Sequence, residues 1–200
     1  MLKRTFDVIV SGLGLVVSSP LWLLVAVAIK LQDGGPVLFA QDRVGQGGRV
    51  FKALKFRSMI VNAEAGTGPI QAHRHDRRVT PVGRLLRATA MDELPQLWNI
   101  LRGDMSVVGP RPLRPGEIEI DGDGTMVRLE DIPGYDLRHR LRPGLTGLTQ
   151  VYARRDIPRI EKFRLDLQYV ERASFWFDVK LVLVSFWITA RGKWDDGSKI

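Results

Sequence analysis

The chain contains no cysteine. That absence excludes a disulfide framework, a thiolate zinc site and a thiol nucleophile, and is silent on compartment, because exported chains also lack cysteine. Histidine is nearly as scarce: His73 and His75 flank Arg74, His139 stands far off, and no metal site is completed at a recognisable spacing, so structural or surface roles are expected. A dinucleotide turn is missing, since Gly45, Gly47 and Gly48 are followed by Val50 where G-x-G-x-x-G needs its third glycine. Asp121-Gly122-Asp123-Gly124 opens like a calcium loop but puts Met126 at the sixth position and Ile132 at the twelfth, so the acid-rich stretch Gly116 to Asp131 reads as a solvated loop. Long hydrophobic runs are few, and with 26% charged residues the chain is neither disordered nor polytopic. Acids are short relative to bases: 30 Lys+Arg against 22 Asp+Glu leave +8, which points to an anionic partner such as nucleic acid, acidic lipid or a phosphorylated substrate. At 200 residues there is room for one domain with appendages and not for a multi-module machine.

One uncharged run stands out. Val8 to Ile29 is 22 residues without a charge, about 33 Å as a straight helix and long enough to cross a bilayer. Ser18-Ser19-Pro20 lies at its centre, where proline removes a helical N–H and serine hydroxyls can satisfy the freed carbonyls. Both flanks are basic, with Lys3 and Arg4 before and Lys30 and Arg43 after, which favours keeping both ends in the cytoplasm. The expectation is a re-entrant membrane helix hairpin over residues 1–32, broken at Ser19-Pro20. Three alternatives stay open: a signal peptide cleaved after Ala26-Val27-Ala28, a plain single span, and a buried core helix.

Residues 33–200 read as a predominantly α (α+β) unit. Val37-Leu38-Phe39 and Val50 to Leu54, turning over Gly45 to Gly48, give the one convincing β signal, a small β-hairpin. Leu94 to Leu101 predicts a short helix stopped by Gly103, and Ser106-Val107-Val108 leads into the stiff loop Gly109-Pro110-Arg111-Pro112. Ile160, Phe163, Leu167 and Val170 recur on one helical face. Leu181 to Ala190 is apolar but too short to span; Trp176, Trp187, Arg191, Lys193 and Trp194 at its edges suit an interfacial amphipathic helix, with a buried core helix as the alternative.

The chemistry concentrates between Arg84 and Pro112. Asp92 and Glu93 are adjacent carboxylates just ahead of Leu94-Pro95, so Asp92 is a candidate helix N-cap. Arg87 precedes the pair and Arg111 sits between two prolines. Guanidiniums converging on ionised carboxylates leave donors for a phosphate, and carboxylates beside a phosphate call for a bridging Mg²⁺ held by Asp92 and Glu93. The arrangement predicts phosphoryl transfer with Asp92 available as nucleophile.

Lys3-Arg4 with Asp7, Ser19-Pro20, Gly35-Pro36-Val37, Lys55-Phe56-Arg57, Asp92-Glu93-Leu94-Pro95-Gln96, Val108-Gly109-Pro110-Arg111-Pro112 and Pro143-Gly144-Leu145-Thr146-Gly147 occur in that order. The series resembles the bacterial sugar transferase family, the monotopic phosphoglycosyl transferases, over nearly the whole chain and in the small form. The resemblance implies a cytoplasmic, interfacial catalytic domain on the bacterial inner membrane. It implies transfer of sugar-1-phosphate from a UDP-sugar to polyprenyl (undecaprenyl) phosphate through a covalent aspartyl intermediate, with release of UMP and Mg²⁺ as cofactor. Asp92 matches the nucleophile and Glu93 its partner. Arg87 and Arg111 match phosphate-holding arginines, and Lys55 and Arg57 lie near the site with less defined roles. The re-entrant break matches Ser19-Pro20. Ala153 stands where the family has glycine, which bears on a local turn, and Thr89-Ala90-Met91 is less polar than usual. Membrane lipid is an expected partner and nucleic acid is not; the sugar, the glycan pathway and an oligomer stay open. The alternative functions are an inactive membrane-surface scaffold and a basic binding module in which Asp92 only caps.

Overall fold

The computed structural model describes residues 2–63, 65, 76–120, 126–154, 157–191 and 194. His73, His75, the Asp121–Gly124 stretch and Lys193 lie outside them. In chain order the elements are α1 (Leu2–Asp33), β1 (Leu38–Val44), β2 (Val50–Phe56), α2 (Pro81–Ala88), α3 (Gln96–Arg102), β3 (Ser106–Val108), β4 (Ile118–Ile120), β5 (Met126–Arg128), α4 (Tyr135–Arg138), β6 (Gly144–Thr146), α5 (Leu148–Tyr152), α6 (Arg159–Arg172) and α7 (Phe175–Ala190). Helices dominate, and the described strands form three two-stranded sheets.

The expected break at Ser19-Pro20 does not end the helix, because α1 runs through Pro20. The reason is local. Pro20 cannot donate to the carbonyl of Val16, four residues back, and the Ser19 hydroxyl donates to that carbonyl instead, at 2.8 Å. Ser18 Oγ accepts from Trp22 Nε1 at 3.1 Å, tying the next turn together.

Both ends of α1 are fastened to the remaining fold. At the start, Lys3 Nζ donates to Val108 O at 2.9 Å, Arg4 donates to Ile100 O and Leu101 O at 2.6 and 2.7 Å, and Asp7 Oδ1 accepts from the Ser106 hydroxyl and Val107 N–H, each at 2.9 Å. Arg4 thereby satisfies carbonyls left open at the end of α3, where a cation also suits the helix dipole. At the far end Gln32 Oε1 accepts from Val82 N–H at 3.1 Å, and Arg57 Nη1 donates to Asp33 at 2.6 Å. Between the anchors Leu13, Val16, Val17, Leu23 and Leu24 are exposed.

Two apolar clusters hold these pieces. Leu97, Ile100, Met105, Val107, Val151, Tyr169, Leu181 and Ile188 form one; Val25, Ile29, Phe56 and Leu86 form the other; Leu94 packs on both. The β1–β2 hairpin is antiparallel from Leu38↔Phe56 to Val44↔Val50, longer than the sequence signal. The other sheets escape a periodicity argument because each strand has three residues. Within the stretch expected to be a loop, Gly116 to Asp131, Ile118–Ile120 and Met126–Arg128 instead pair as β4 and β5, with Leu129 and Ile132 buried beside Leu113 and Phe163. On α6 the buried residues are Phe163, Asp166 and Tyr169, while Ile160 is exposed; polar partners turn the helix away from its most apolar stripe. In α7, Trp176, Leu183, Phe186 and Trp187 are exposed and Leu181 and Ile188 buried, so the helix is half core and half open apolar surface.

Candidate active site

The Asp92-Glu93 pair sits in a 3₁₀ turn, Met91–Glu93, entered from Ala90 at φ +55°. A left-handed non-glycine residue costs about 1–3 kcal/mol and is tolerated where the surroundings over-determine it. Asp92 does not cap α3: the residue preceding that helix is Pro95, and no side chain caps it. Because Leu94-Pro95 already turns as helix, the carboxylate is carried past the N-terminus into a cavity of about 1530 Å³. Lys55, Arg87, Asp92, Glu93 and Arg111 all line that cavity.

The two carboxylates behave differently. Glu93 Oε1 accepts from Lys55 Nζ at 2.5 Å and lies 3.8 Å from Arg111 Nη2. Burial alone would push Glu93 up, but Lys55, Arg111 and Arg43 together hold it well below the usual carboxylate range. Asp92 is 8% exposed, and no described residue donates a hydrogen bond to it. Burial raises it above the ordinary aspartate range, helped by Glu93 and opposed by Lys55, Arg87 and Arg111.

Lys55 reaches Glu93 because β2 alternates: Phe56 points into the core at 2% exposure and Lys55 faces the other way. Arg57 lies elsewhere on the cavity wall. Its guanidinium is engaged by Pro36 O at 2.6 Å, by Met59 O at 3.2 Å and by both oxygens of Asp33, so it locks the exit of α1 and does not reach the pair. A Cβ on Gly35 would meet Arg57 Nη2 at 2.9 Å, so the glycine permits that approach. Arg87 closes α2, whose start is capped by Thr80 Oγ1 accepting from Gly83 N–H at 2.9 Å with Pro81 in the first turn.

Arg111 is delivered by a loop that the fold clamps. β3 and β6 pair in parallel, with Gly109 N–H donating to Thr146 O and Gly144 N–H to Pro110 O, each at 2.9 Å. The two motifs therefore lie against each other, and a Cβ on Gly144 would meet Gly109 N at 2.0 Å. Arg43, counted in the sequence only as a flanking charge, donates from Nη1 to Pro112 O at 2.9 Å and from Nη2 to Gln41 Oε1 at 2.6 Å. Burial and the neighbouring Arg111 and Arg114 push its guanidinium down to about 10. Ala153, where the turn was expected to need glycine, has φ −76° and ψ 135°, ordinary extended backbone that any residue adopts.

Mg²⁺ fits the donor set. Among the described residues no cluster of three or more His, Cys, Asp or Glu side chains could hold a metal, so two carboxylates at most are available, and Mg²⁺ is characteristically bound by one or two carboxylates completed by phosphate oxygens and water.

Fold and site together define a unit with one helix long and apolar enough to cross a membrane and a cavity that brings together two unlike carboxylates and several cations. The profile of the bacterial sugar transferase family matches residues 1–192. A UDP-glucose:undecaprenyl-phosphate glucose-1-phosphate transferase of Caulobacter vibrioides is 46% identical over 187 residues, covering 90% of this chain and 67% of that protein. The protein of the same name from Klebsiella pneumoniae is 43% identical over 188 residues, 92% of this chain and 39% of its own length. The exopolysaccharide production protein ExoY of Rhizobium meliloti is 39% identical over 199 residues, with 91% and 82% covered. The chain thus spans about two thirds of the Caulobacter relative and well under half of the Klebsiella one. It belongs to the bacterial sugar transferase family.

Proposed function

We propose that this chain transfers sugar-1-phosphate from a UDP-sugar to undecaprenyl phosphate, working as a monotopic enzyme at the cytoplasmic face of the bacterial inner membrane. The observation that carries the reading is the unbonded, buried Asp92 beside an ionised Glu93 in a cationic cavity. An Asp92 oxygen attacks the β-phosphorus of the donor, the bridging P–O bond breaks, and UMP leaves. An oxygen of undecaprenyl phosphate then attacks the same phosphorus, the acyl-phosphate bond to Asp92 breaks, and the carboxylate is restored. Desolvation with no donor to stabilise the anion makes Asp92 the better nucleophile of the two; Lys55 keeps Glu93 charged and in place. Arg87 and Arg111 hold the phosphates. Asp92 and Glu93 would hold Mg²⁺, which would supply charge neutralisation to the phosphates.

A polyprenyl acceptor lives in lipid, and the cavity suits it: Val10, Leu13 and Val17 of α1 and Val182, Leu183 and Phe186 of α7 line one side. α1 is long and apolar enough to enter a membrane. Its two ends bond to one folded unit, which supports a re-entrant course over a straight crossing. The exposed Trp176 and Trp187, with Arg191 4.3 Å over the Trp187 ring, support α7 as an interfacial helix.

The test is UMP release by protein in nanodiscs with Mg²⁺ and undecaprenyl phosphate, across UDP-glucose, UDP-galactose and UDP-N-acetylgalactosamine, beside Asp92→Asn. UMP from a donor, lost roughly 10⁴-fold or more in the variant, is expected for removal of a covalent nucleophile. Turnover surviving in Asp92→Asn would refute the nucleophile, and a folded wild type silent with every donor would refute the transfer reading.

A further inference from the structure

Arg138 is the largest fully buried side chain among the described residues, at 1% exposure. A guanidinium in that setting needs every donor directed. Nε and Nη2 donate to Asp166 Oδ2 at 2.9 and 2.5 Å, Nη1 lies 3.3 Å from His139 Nε2, and the Phe163 ring lies 4.7 Å from the guanidinium carbon. The second oxygen of Asp166 accepts from the Thr149 hydroxyl at 2.6 Å. His139 Nδ1 is 2.7 Å from Tyr135 O, so that nitrogen carries the proton and Nε2 is free to accept from Arg138. Burial, then the charge of Arg138, push His139 down to about 4 and keep it neutral.

One donor bond leaves this closed network. Arg138 Nη2 also donates to the backbone carbonyl of Arg111, at 2.6 Å. The next carbonyl, Pro112 O, is the one held by Arg43. Two consecutive carbonyls of one loop are thus fixed by arginines from separate elements, α4 and β1, at the residue whose side chain reaches toward Glu93. A buried ion pair contributes little net stability, because desolvation offsets the attraction and an apolar replacement is often as stable. Its burial therefore calls for another use. The bond to Arg111 O supplies one: it fixes where the Arg111 guanidinium starts, over the cavity, in a loop that otherwise carries a long flexible side chain.

We infer that Arg138, held by Asp166 and Thr149, is a positioning residue for Arg111, setting the guanidinium that takes the donor's phosphates. The inference rests on the proposed function only in naming Arg111 as a phosphate ligand.

The experiment is a double-mutant cycle of wild type, Arg111→Ala, Arg138→Lys and the double variant, all in nanodiscs. Lysine keeps the charge against Asp166 but lacks the planar fork needed to reach Arg111 O at the same time. Two readouts are taken, UMP release with the active donor and the Kd for inorganic pyrophosphate. Arg138→Lys is expected to weaken both by about 10–100-fold, the size of effect a misplaced ligand gives, and to reproduce the KM-against-kcat split of Arg111→Ala. In the Arg111→Ala background it is expected to add nothing. Equal loss in both backgrounds would show a general effect on the fold and overturn the inference, as would unchanged pyrophosphate affinity in Arg138→Lys. Should that variant not fold, Thr149→Val, which removes one bond to Asp166, is expected to move the same readouts in the same direction by a few-fold, and unchanged readouts would overturn the inference too. Pyrophosphate affinity is read without turnover, so a wild type that fails to release UMP sinks the transfer reading and leaves the cycle readable.

Discussion

Two of the buried aspartates, Asp166 and Asp92, are treated in opposite ways. In the α4–α6 network, both oxygens of Asp166 are taken by Arg138 and Thr149. In the cavity, Asp92 lies among cations yet accepts no hydrogen bond from a described residue. The other buried aspartates also hold donors: Asp7 Oδ1 accepts from Ser106 and Val107, Asp76 accepts from Arg78, and Asp178 accepts from Lys3 and Tyr169. Buried carboxylates that hold donors tie the fold together. The one that holds none is the residue proposed as nucleophile, and burial raises it above the ordinary aspartate range.

Removing the charge is expected to have opposite effects at the two sites. Asp166→Asn leaves Arg138 buried without its counter-ion and is expected to lower stability by about 3–5 kcal/mol. Asp92→Asn removes a charge the fold disfavours, and its melting temperature in detergent should equal or exceed wild type. A melting temperature in Asp92→Asn that falls as far as in Asp166→Asn would erase the distinction.

Proton titration separates Asp92 from Glu93 as well. Asp92 is raised in the folded state, so as pH falls it takes a proton earlier than an ordinary aspartate of about 3.9. The rate of covalent phosphosugar formation should therefore drop through a midpoint above that value. Glu93 is depressed, so the stability it contributes is present above the ordinary glutamate value and is lost only as pH falls through its lower folded one. Across mildly acidic pH the protein should lose activity before it loses structure, checked by following adduct mass and near-UV circular dichroism together. Coincident loss would mean that the two carboxylates titrate alike.

The smallest expected effect belongs to α1. Ser19→Ala frees the Val16 carbonyl that Pro20 cannot serve and should cost about 1 kcal/mol, seen as a modest drop in melting temperature in nanodiscs. No change would mean that lipid-facing backbone at that turn finds another donor.

What the sequence made legible was local or motif-borne. Asp92, Glu93, Arg87, Arg111 and Lys55 could be singled out from adjacency, prolines and order, and the long α1 from its uncharged run. The hairpin could be read from its turn glycines. Tertiary contact outweighed local pattern at Asp92, which looked like a cap because Leu94-Pro95 follows it; Arg57, expected near the site, lines the same cavity while Asp33 and two carbonyls take its donors. Arg43 and Arg138 carried no sequence signal, since each finds its acceptor far along the chain. The three-residue strands β3 and β6 were illegible because no period can be read from three residues, and the α6 face misled because its buried side includes Asp166.

The contact between Gly109 and Gly144 bears on how the molecule comes into being. Ser106 pairs with Gly144 across the whole of β4, β5 and α4, so the ladder that holds Arg111 closes a long loop, and closing long loops is entropically slow. A chain still folding can have α1 and the β1–β2 hairpin in place while its arginine loop is open. On the proposed function, Arg111 would take up its place over the cavity only once that pairing is made.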